Sequence, residues 1–180
     1  MTPLPKHGVL LEYNGIGVYI IGASGIGKSE IALQLIHQGA CLICDDAPDL
    51  SDDTDSRQVF GSCPEGFYGL MHLHDLGIIN IMELFGSDYF KLSQAINFII
   101  ELVPAADKLA VVSHQTPQQL LTPDNQYWQY HGWTIPGIRI HLYPNRNIAL
   151  MIKTAVMQFS SDDTMDINHL GQQISREIKE

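Results

Sequence analysis

The stretch Gly-Ala-Ser-Gly-Ile-Gly-Lys-Ser at residues 22–29 leaves this chain few ways to fold. Gly22, Gly27, Lys28 and Ser29 satisfy the spacing G-x-x-x-x-G-K-[ST]. Glycines at these points let the backbone wrap so that its N–H groups turn inward toward phosphate oxygens. The helix that follows offers its N-terminus to the same negative charge. A lysine and a serine placed here neutralise the β- and γ-phosphates and ligate Mg²⁺. Such a loop needs a strand leading in and a helix leading out. Both are present: Gly-Val-Tyr-Ile-Ile at 17–21 precedes it, and 28–39 has helical periodicity. Ile31, Leu35 and Gln38 fall on one face with Ala32 and Ile36 beside them, and Gly39 is placed to end the helix. The expected fold class is α/β, with nucleotide phosphates held by Gly22, Ala23, Ser24, Gly25, Ile26, Gly27, Lys28 and Ser29.

The other elements are arranged around that unit. Residues 7–21 read as a hairpin across Asn14-Gly15. Residues 40–46 read as a buried strand ending in two acids, Asp45 and Asp46. A short strand is expected at 57–62, a loop at 62–70, and a strand followed by a turn at 76–86. Two more strands are expected at 96–103 and 108–114, while 114–135 has no clear pattern. Residues 138–144 alternate like a strand. Residues 147–159 carry a helical stripe of Ile148, Met151, Ile152, Ala155 and Phe159, and 163–180 read as a final amphipathic helix. No repeat and no long linker interrupts the 180 residues, so 1–180 is expected to be one domain.

Composition narrows the classes. The chain is 45% hydrophobic and 17% charged, which suits a packed core. No apolar run approaches the ~20 residues of a membrane helix, and the N-terminus does not resemble a signal peptide. Cys41 and Cys44 have C-x-x-C spacing but lie in an apolar run, so they read as strand residues and not as ligands of a four-coordinate zinc. Three cysteines without complete pairing suggest a cytoplasmic location. A net charge of −10 argues against nucleic-acid binding, which depends on neutralising phosphates. It suits a basic protein partner, or solubility alone.

Asp45 and Asp46 end the strand after the loop helix, and ligands of parallel α/β sheets gather at carboxyl ends of strands. One acid can take a proton from an attacking hydroxyl or water, and the other can reach Mg²⁺. The plainer alternative is a pair of turn or cap acids.

Residues 7–50, with 76–86 and 136–159, together resemble the catalytic domain of the bacterial HPr kinase/phosphorylase family. The resemblance runs in order from residue 7 to about 159 and is far more specific than the phosphate loop. It implies a P-loop kinase fold with a mixed central sheet, similar to the nucleotide-binding core of phosphoenolpyruvate carboxykinase. It implies ATP and Mg²⁺ as cofactors and HPr, the small phosphocarrier of the sugar phosphotransferase system, as protein partner. It also implies a homo-oligomer, a hexamer, without the N-terminal domain of longer members. His7 then matches an active-site histidine, Lys28 is catalytic, and Ser29 holds the metal. Asp46 matches the acid that accepts a proton in phosphorylation and returns it in the reverse reaction. Arg146 matches the late-loop arginine important for dephosphorylation. Without the resemblance His7 reads as an ordinary surface histidine.

The chain departs from the family pattern E-x-R-G-L-G. His72 stands for the metal-binding glutamate, His74 for the arginine and Asp75 for the glycine. No arginine lies between Arg57 and Arg139, and the late loop reads His-Leu-Tyr-Pro-Asn-Arg-Asn, less basic than the family's. Imidazole is a poor ligand for Mg²⁺. Catalysis is expected to be weakened while nucleotide binding survives, with Asp75 a stand-in for the lost carboxylate. The alternatives are a nucleotide-binding regulatory relative without phosphoryl transfer, a kinase of a small hydroxylated molecule, and transition-metal binding by His72 and His74.

Overall fold

A computed structural model describes residues 2–105 and 123–161. The strand expected at 108–114 and the helix expected at 163–180 lie outside the described residues.

A seven-stranded mixed sheet forms the centre. In chain order its strands are β1 (Thr2–Pro3), β2 (Val9–Tyr13), β3 (Ile16–Gly22), β4 (Cys41–Cys44), β10 (Phe98–Pro104), β11 (Asn125–Tyr130) and β12 (Trp133–Leu142). Their spatial order is β1-β11-β12-β10-β3-β2-β4. β10 runs parallel to both β3 and β12. β2 runs antiparallel to β3 and to β4, and β11 antiparallel to β12. β5 (Asp49–Asp53), β6 (Gln58–Ser62) and β9 (Ser93–Ala95) make a three-stranded sheet, and β7 (Leu70–Leu73) pairs with β8 (Gly77–Asn80).

The helix-bearing face of the large sheet packs against α1 (Lys28–Ile36) and α3 (Ile148–Ser161). Val18, Ile20, Leu42 and Ile100 from the strands meet Ile31, Leu35 and Ile152 there. The opposite face buries Tyr19, Ile21, Ile43, Ile99 and Trp128 with Val59 and Ile96. Burial on both faces is why β3 and β10 read as continuous apolar runs and not as alternating strands. The β2–β3 turn is formed by Asn14 (φ 52°) and Gly15 (φ 83°), the positive pair that an Asn-Gly hairpin adopts. Gly17 permits close approach: a Cβ there would lie 1.8 Å from the Ala95 carbonyl oxygen.

Several expectations change in detail. α1 ends at Ile36, where the Ala40 N–H donates to the Leu35 carbonyl at 3.0 Å and Gly39 turns left-handed at φ 98°. Gln38 therefore lies beyond the helix and is exposed. On α3 the buried residues are Ile148, Ala149, Ile152 and Val156, while Met151 is 37% exposed. Met151 stands roughly 100° around the helix from the centre of that stripe. Residues 76–86 form β8 and then a helix, α2 (Ile81–Phe85), in place of the expected turn. Asn80 caps it, its side-chain oxygen accepting from the Met82 N–H at 3.0 Å. The unassigned 114–135 segment contains β11 and the start of β12, joined at His131 and Gly132, both at positive φ. β5 was not expected, since Asp-Leu-Ser-Asp-Asp offers little apolar pattern. Its strand character comes from pairing with β6. Cys41 and Cys44 lie in β4 as expected, and Cys41, Cys44 and Cys63 are free thiols. Among the described residues no helix is long and apolar enough to cross a membrane.

Candidate active site

A cleft of about 510 Å³ opens over the carboxyl ends of β3 and β4. One wall is the loop and first turn of α1: Ser24, Gly25, Gly27, Lys28, Ser29 and Glu30. Asp45 and Asp46 after β4, His72 and His74 of the β7–β8 hairpin, and Val9 of β2 complete its lining.

The loop owes its shape to its glycines. Gly25 and Gly27 have φ of 73° and 96°, and a Cβ on Gly22 would lie 2.7 Å from the Leu102 carbonyl oxygen. Gly27 is the N-cap of α1 and supplies no side-chain cap. The first amides of the helix, which have no acceptors within it, are thus left for a ligand. Lys28 Nζ folds back over the loop, donating to the carbonyls of Gly22 at 3.2 Å and Ala23 at 3.0 Å. Ile26 tightens the loop through its N–H to the Ala23 carbonyl at 3.3 Å. A left-handed cradle, open helix amides and a lysine together fit a chain of phosphates.

Ser29 Oγ donates to Asp45 Oδ1 at 2.8 Å, and the His72 N–H donates to Asp45 Oδ2 at 2.9 Å. Burial pushes the Asp45 carboxyl above the usual aspartate range; those two hydrogen bonds oppose the shift and the neighbouring Asp46 reinforces it. A hydroxyl and a carboxylate on one side of the cleft are an oxygen donor set that fits a hard divalent cation completed by phosphate oxygens and water. Among the described residues no group of three or more His, Cys, Asp or Glu is gathered closely enough to hold a metal ion. His74 Nε2 lies 3.7 Å from Asp75 Oδ1 at the exposed tip of the hairpin. Asp75 is not among the residues that line the cleft. It has φ 66°, the left-handed geometry for which the family's glycine is suited.

Asp46 faces the cleft beside Asp45, although adjacent strand residues normally point to opposite sides. Its φ of 72° turns the chain. His7 Nδ1 lies 3.8 Å from Asp46 Oδ1, and both side chains are 74% exposed. Arg146 stands apart. Its guanidinium sits 4.5 Å over the Tyr143 ring in the loop after β12 and does not line the cleft. That loop leaves the same sheet edge as the phosphate loop, because β3, β10 and β12 are parallel. Two strand spacings, roughly 10 Å, separate them. Val9 and Glu30 line the cleft without having been singled out in the sequence. Glu30 carried a usable signal, an acid in the first turn of the loop helix; Val9 reads only as a core strand residue.

Residues 3–176 match the family described as HPr Serine kinase C-terminal domain. The chain belongs to that family. A relative named HPr kinase/phosphorylase from Brevibacillus brevis is 35% identical over 153 residues, 85% of this chain and 47% of the relative. Another of the same name, from Listeria monocytogenes, is 32% identical over 176 residues, 93% of this chain and 54% of the relative. The chain thus spans about half the length of these curated relatives. The solved structure of the Hpr(Ser) kinase/phosphatase from Coxiella burnetii superposes with a TM-score of 0.75 at 30% identity, covering 97% of each chain. The HPr kinase C-terminal domain family thus has in this chain its mixed α/β, P-loop kinase fold.

Proposed function

We propose that this chain transfers the γ-phosphoryl group of ATP to a serine hydroxyl of HPr and, in the other direction, moves the phosphoryl group from phosphoserine to inorganic phosphate. The observation that carries this is one cleft in which a phosphate loop with Lys28 and Ser29 faces Asp45 and Asp46. Kinship to proteins named HPr kinase/phosphorylase supplies the acceptor.

Gly22 to Ser29 hold the phosphates through backbone N–H groups, with Lys28 swinging from its two carbonyls to the β- and γ-oxygens. Ser29 and Asp45 would hold Mg²⁺, which when bound would supply positive charge against the phosphates. Asp46 takes the proton as the serine oxygen bonds to the γ-phosphorus and the bond to the β-phosphate oxygen breaks. In reverse it gives a proton to the serine oxygen as a phosphate oxygen bonds to phosphorus and the serine O–P bond breaks, leaving a free serine hydroxyl and diphosphate. His7 assists Asp46 from 3.8 Å. Arg146 adds charge for the dephosphorylation direction. The domain comprises residues 1–180, works in the cytoplasm, takes no nucleic acid and assembles as a homo-oligomer, a hexamer.

A second reading, nucleotide binding without transfer, is favoured by His72 occupying the position of the family pattern's glutamate while Asp75 is not among the cleft-lining residues. One incubation separates them: the chain, ATP, Mg²⁺ and purified HPr. Phosphoserine on HPr supports transfer. Bound nucleotide with no phosphoserine supports the regulatory reading. Turnover only with added small hydroxylated metabolites would instead make it a small-molecule kinase.

A further inference from the structure

Asp46 is held in an unusual backbone state, and the residues around it show what holds it. The Ala47 N–H donates to the Asp45 carbonyl at 3.1 Å, closing a three-residue turn about Asp46 at φ 72°. A γ-turn with positive φ at its centre is rare and strained, and strain of this kind persists only where surrounding contacts over-determine it. It has a consequence for the site. Without it Asp46 would continue the pleat and point away from Asp45; with it both carboxylates enter one cleft.

Gly8 is the residue across from that turn. β2 and β4 pair antiparallel with Leu10 opposite Cys44, and two residues further along the same register sets Gly8 opposite Asp46. The Gly8 N–H donates to the Asp46 carbonyl at 2.6 Å. A Cβ on Gly8 would lie 2.6 Å from the Ile20 carbonyl oxygen and 2.7 Å from the ring of Tyr19. Tyr19 is fully buried and cannot give way, its hydroxyl donating to the Pro5 carbonyl at 3.1 Å. The 5–8 segment, which also carries His7, is thus clamped between Tyr19 and the Asp46 turn. Only a residue without a side chain fits the gap.

We infer that Gly8, seated against Tyr19 and Ile20, is a positioning residue that holds the Asp46 γ-turn and so aims the proton-accepting carboxylate into the cleft. This rests on the proposed role of Asp46 in phosphoryl transfer. No atom of Gly8 meets the substrate. Its effect travels through one backbone hydrogen bond and one filled space, so it acts on transfer and not on the phosphate loop.

Gly8→Ala forces the 5–8 segment off Tyr19 and loosens the turn. The expected result is phosphoryl transfer to HPr reduced at least tenfold per nucleotide-binding site, with the KM for ATP and the nucleotide Kd within about threefold of the parent. A glycine needed only for stability would lower the melting temperature and leave kcat per folded site unchanged; that result overturns the inference. If Gly8→Ala yields no cooperative melt, Tyr19→Phe, which removes only the hydroxyl tie to Pro5, carries the same comparison with a smaller loss of kcat. A second arm needs no activity. Asp46→Gly relieves a left-handed turn and Asp46→Ala does not, so the glycine variant is expected to melt higher by roughly 2–4 °C. Equal melting points overturn the strained turn. Full transfer by Asp46→Asn would remove Asp46 from the chemistry, and the inference about Gly8 with it, while a melting difference between the glycine and alanine variants would still uphold the strained turn.

Discussion

Lys28 Nζ donates to two carbonyls of its own loop, Gly22 and Ala23. These contacts keep the ammonium at the loop that is proposed to hold the phosphates. Lys28→Ala is expected to reduce nucleotide affinity at least a hundredfold, read by calorimetric titration with ATP and Mg²⁺. Unchanged affinity would remove the phosphate loop from the function. Asp45 gives a different kind of test. Burial holds its carboxyl above the usual range, so its ionised form is disfavoured in the fold. A raised folded value means a stabilising contribution that is complete below the ordinary aspartate range, about 4, and lost as pH rises through the folded value. Asp45→Asn cannot ionise. Its stability relative to the parent should therefore increase from about pH 4 to pH 7, measured by denaturant titration without metal. A difference that is flat across that range counts against a buried, strained charge at this position.

Two elements hold charges whose work is local. Glu12 in β2 is 6% exposed, bonded to Lys91 Nζ at 2.6 Å and to the Gly15 N–H. Burial pushes its carboxyl up, but Lys91 and the Gly15 N–H outweigh that and hold it below the usual range. The pair pins the segment before β9 to the β2–β3 hairpin. Lys91 is 47% exposed, so water screens it. Lys91→Ala is expected to cost about 1–2 kcal/mol, chiefly because it leaves a buried carboxylate under-partnered. A lowered folded value means that contribution is present above the ordinary glutamate range, about 4.3, and fades as pH falls through the folded value. The penalty of the mutation should shrink accordingly on acidification. The β7–β8 hairpin is the other element. It places His72 and His74 on the cleft lining, at the positions where the resemblance implied a glutamate and an arginine. Metal contact and positive charge near the leaving phosphoryl group are transition-state contributions. Restoring both with His72→Glu and His74→Arg is expected to raise phosphoryl transfer to HPr at least tenfold with little change in nucleotide affinity. A parent that already turns over at about 1–100 per second would defeat this prediction.

The whole molecule is a sheet covered by helices on one face and by the small β5-β6-β9 sheet on the other. Leu76 at the β7–β8 turn, Ile78 in β8 and Leu84 in α2 are exposed apolar side chains. Exposed apolar side chains that gather into a patch commonly mark association, and the proposed hexamer would cover side chains of this kind. Light scattering across a range of concentrations is expected to give a mass several times that of the 20.1 kDa chain. A single monomeric mass at high concentration would end the oligomer proposal.

The phosphate loop, its entering strand, its leaving helix and the acids after β4 were all legible in the sequence, because each rests on local geometry. A left-handed loop needs glycine, a helix needs its period, and a strand buried on both faces needs an unbroken apolar run. The Asn14-Gly15 turn was legible for the same reason. β5 and β11 were not, since their strand character comes from partners far along the chain and not from their own residues. Met151 looked inward by spacing and faces outward because the position of the sheet, not the period alone, decides which arc of α3 is buried. The resemblance named His7, Asp46 and Arg146 without distinguishing their surroundings. Tertiary structure sets His7 beside Asp46, bends Asp46 into the cleft across from Gly8, and stacks Arg146 on Tyr143 away from it. Those placements depend on which strands lie side by side and on how closely two backbones approach, and neither is encoded within any short stretch of sequence.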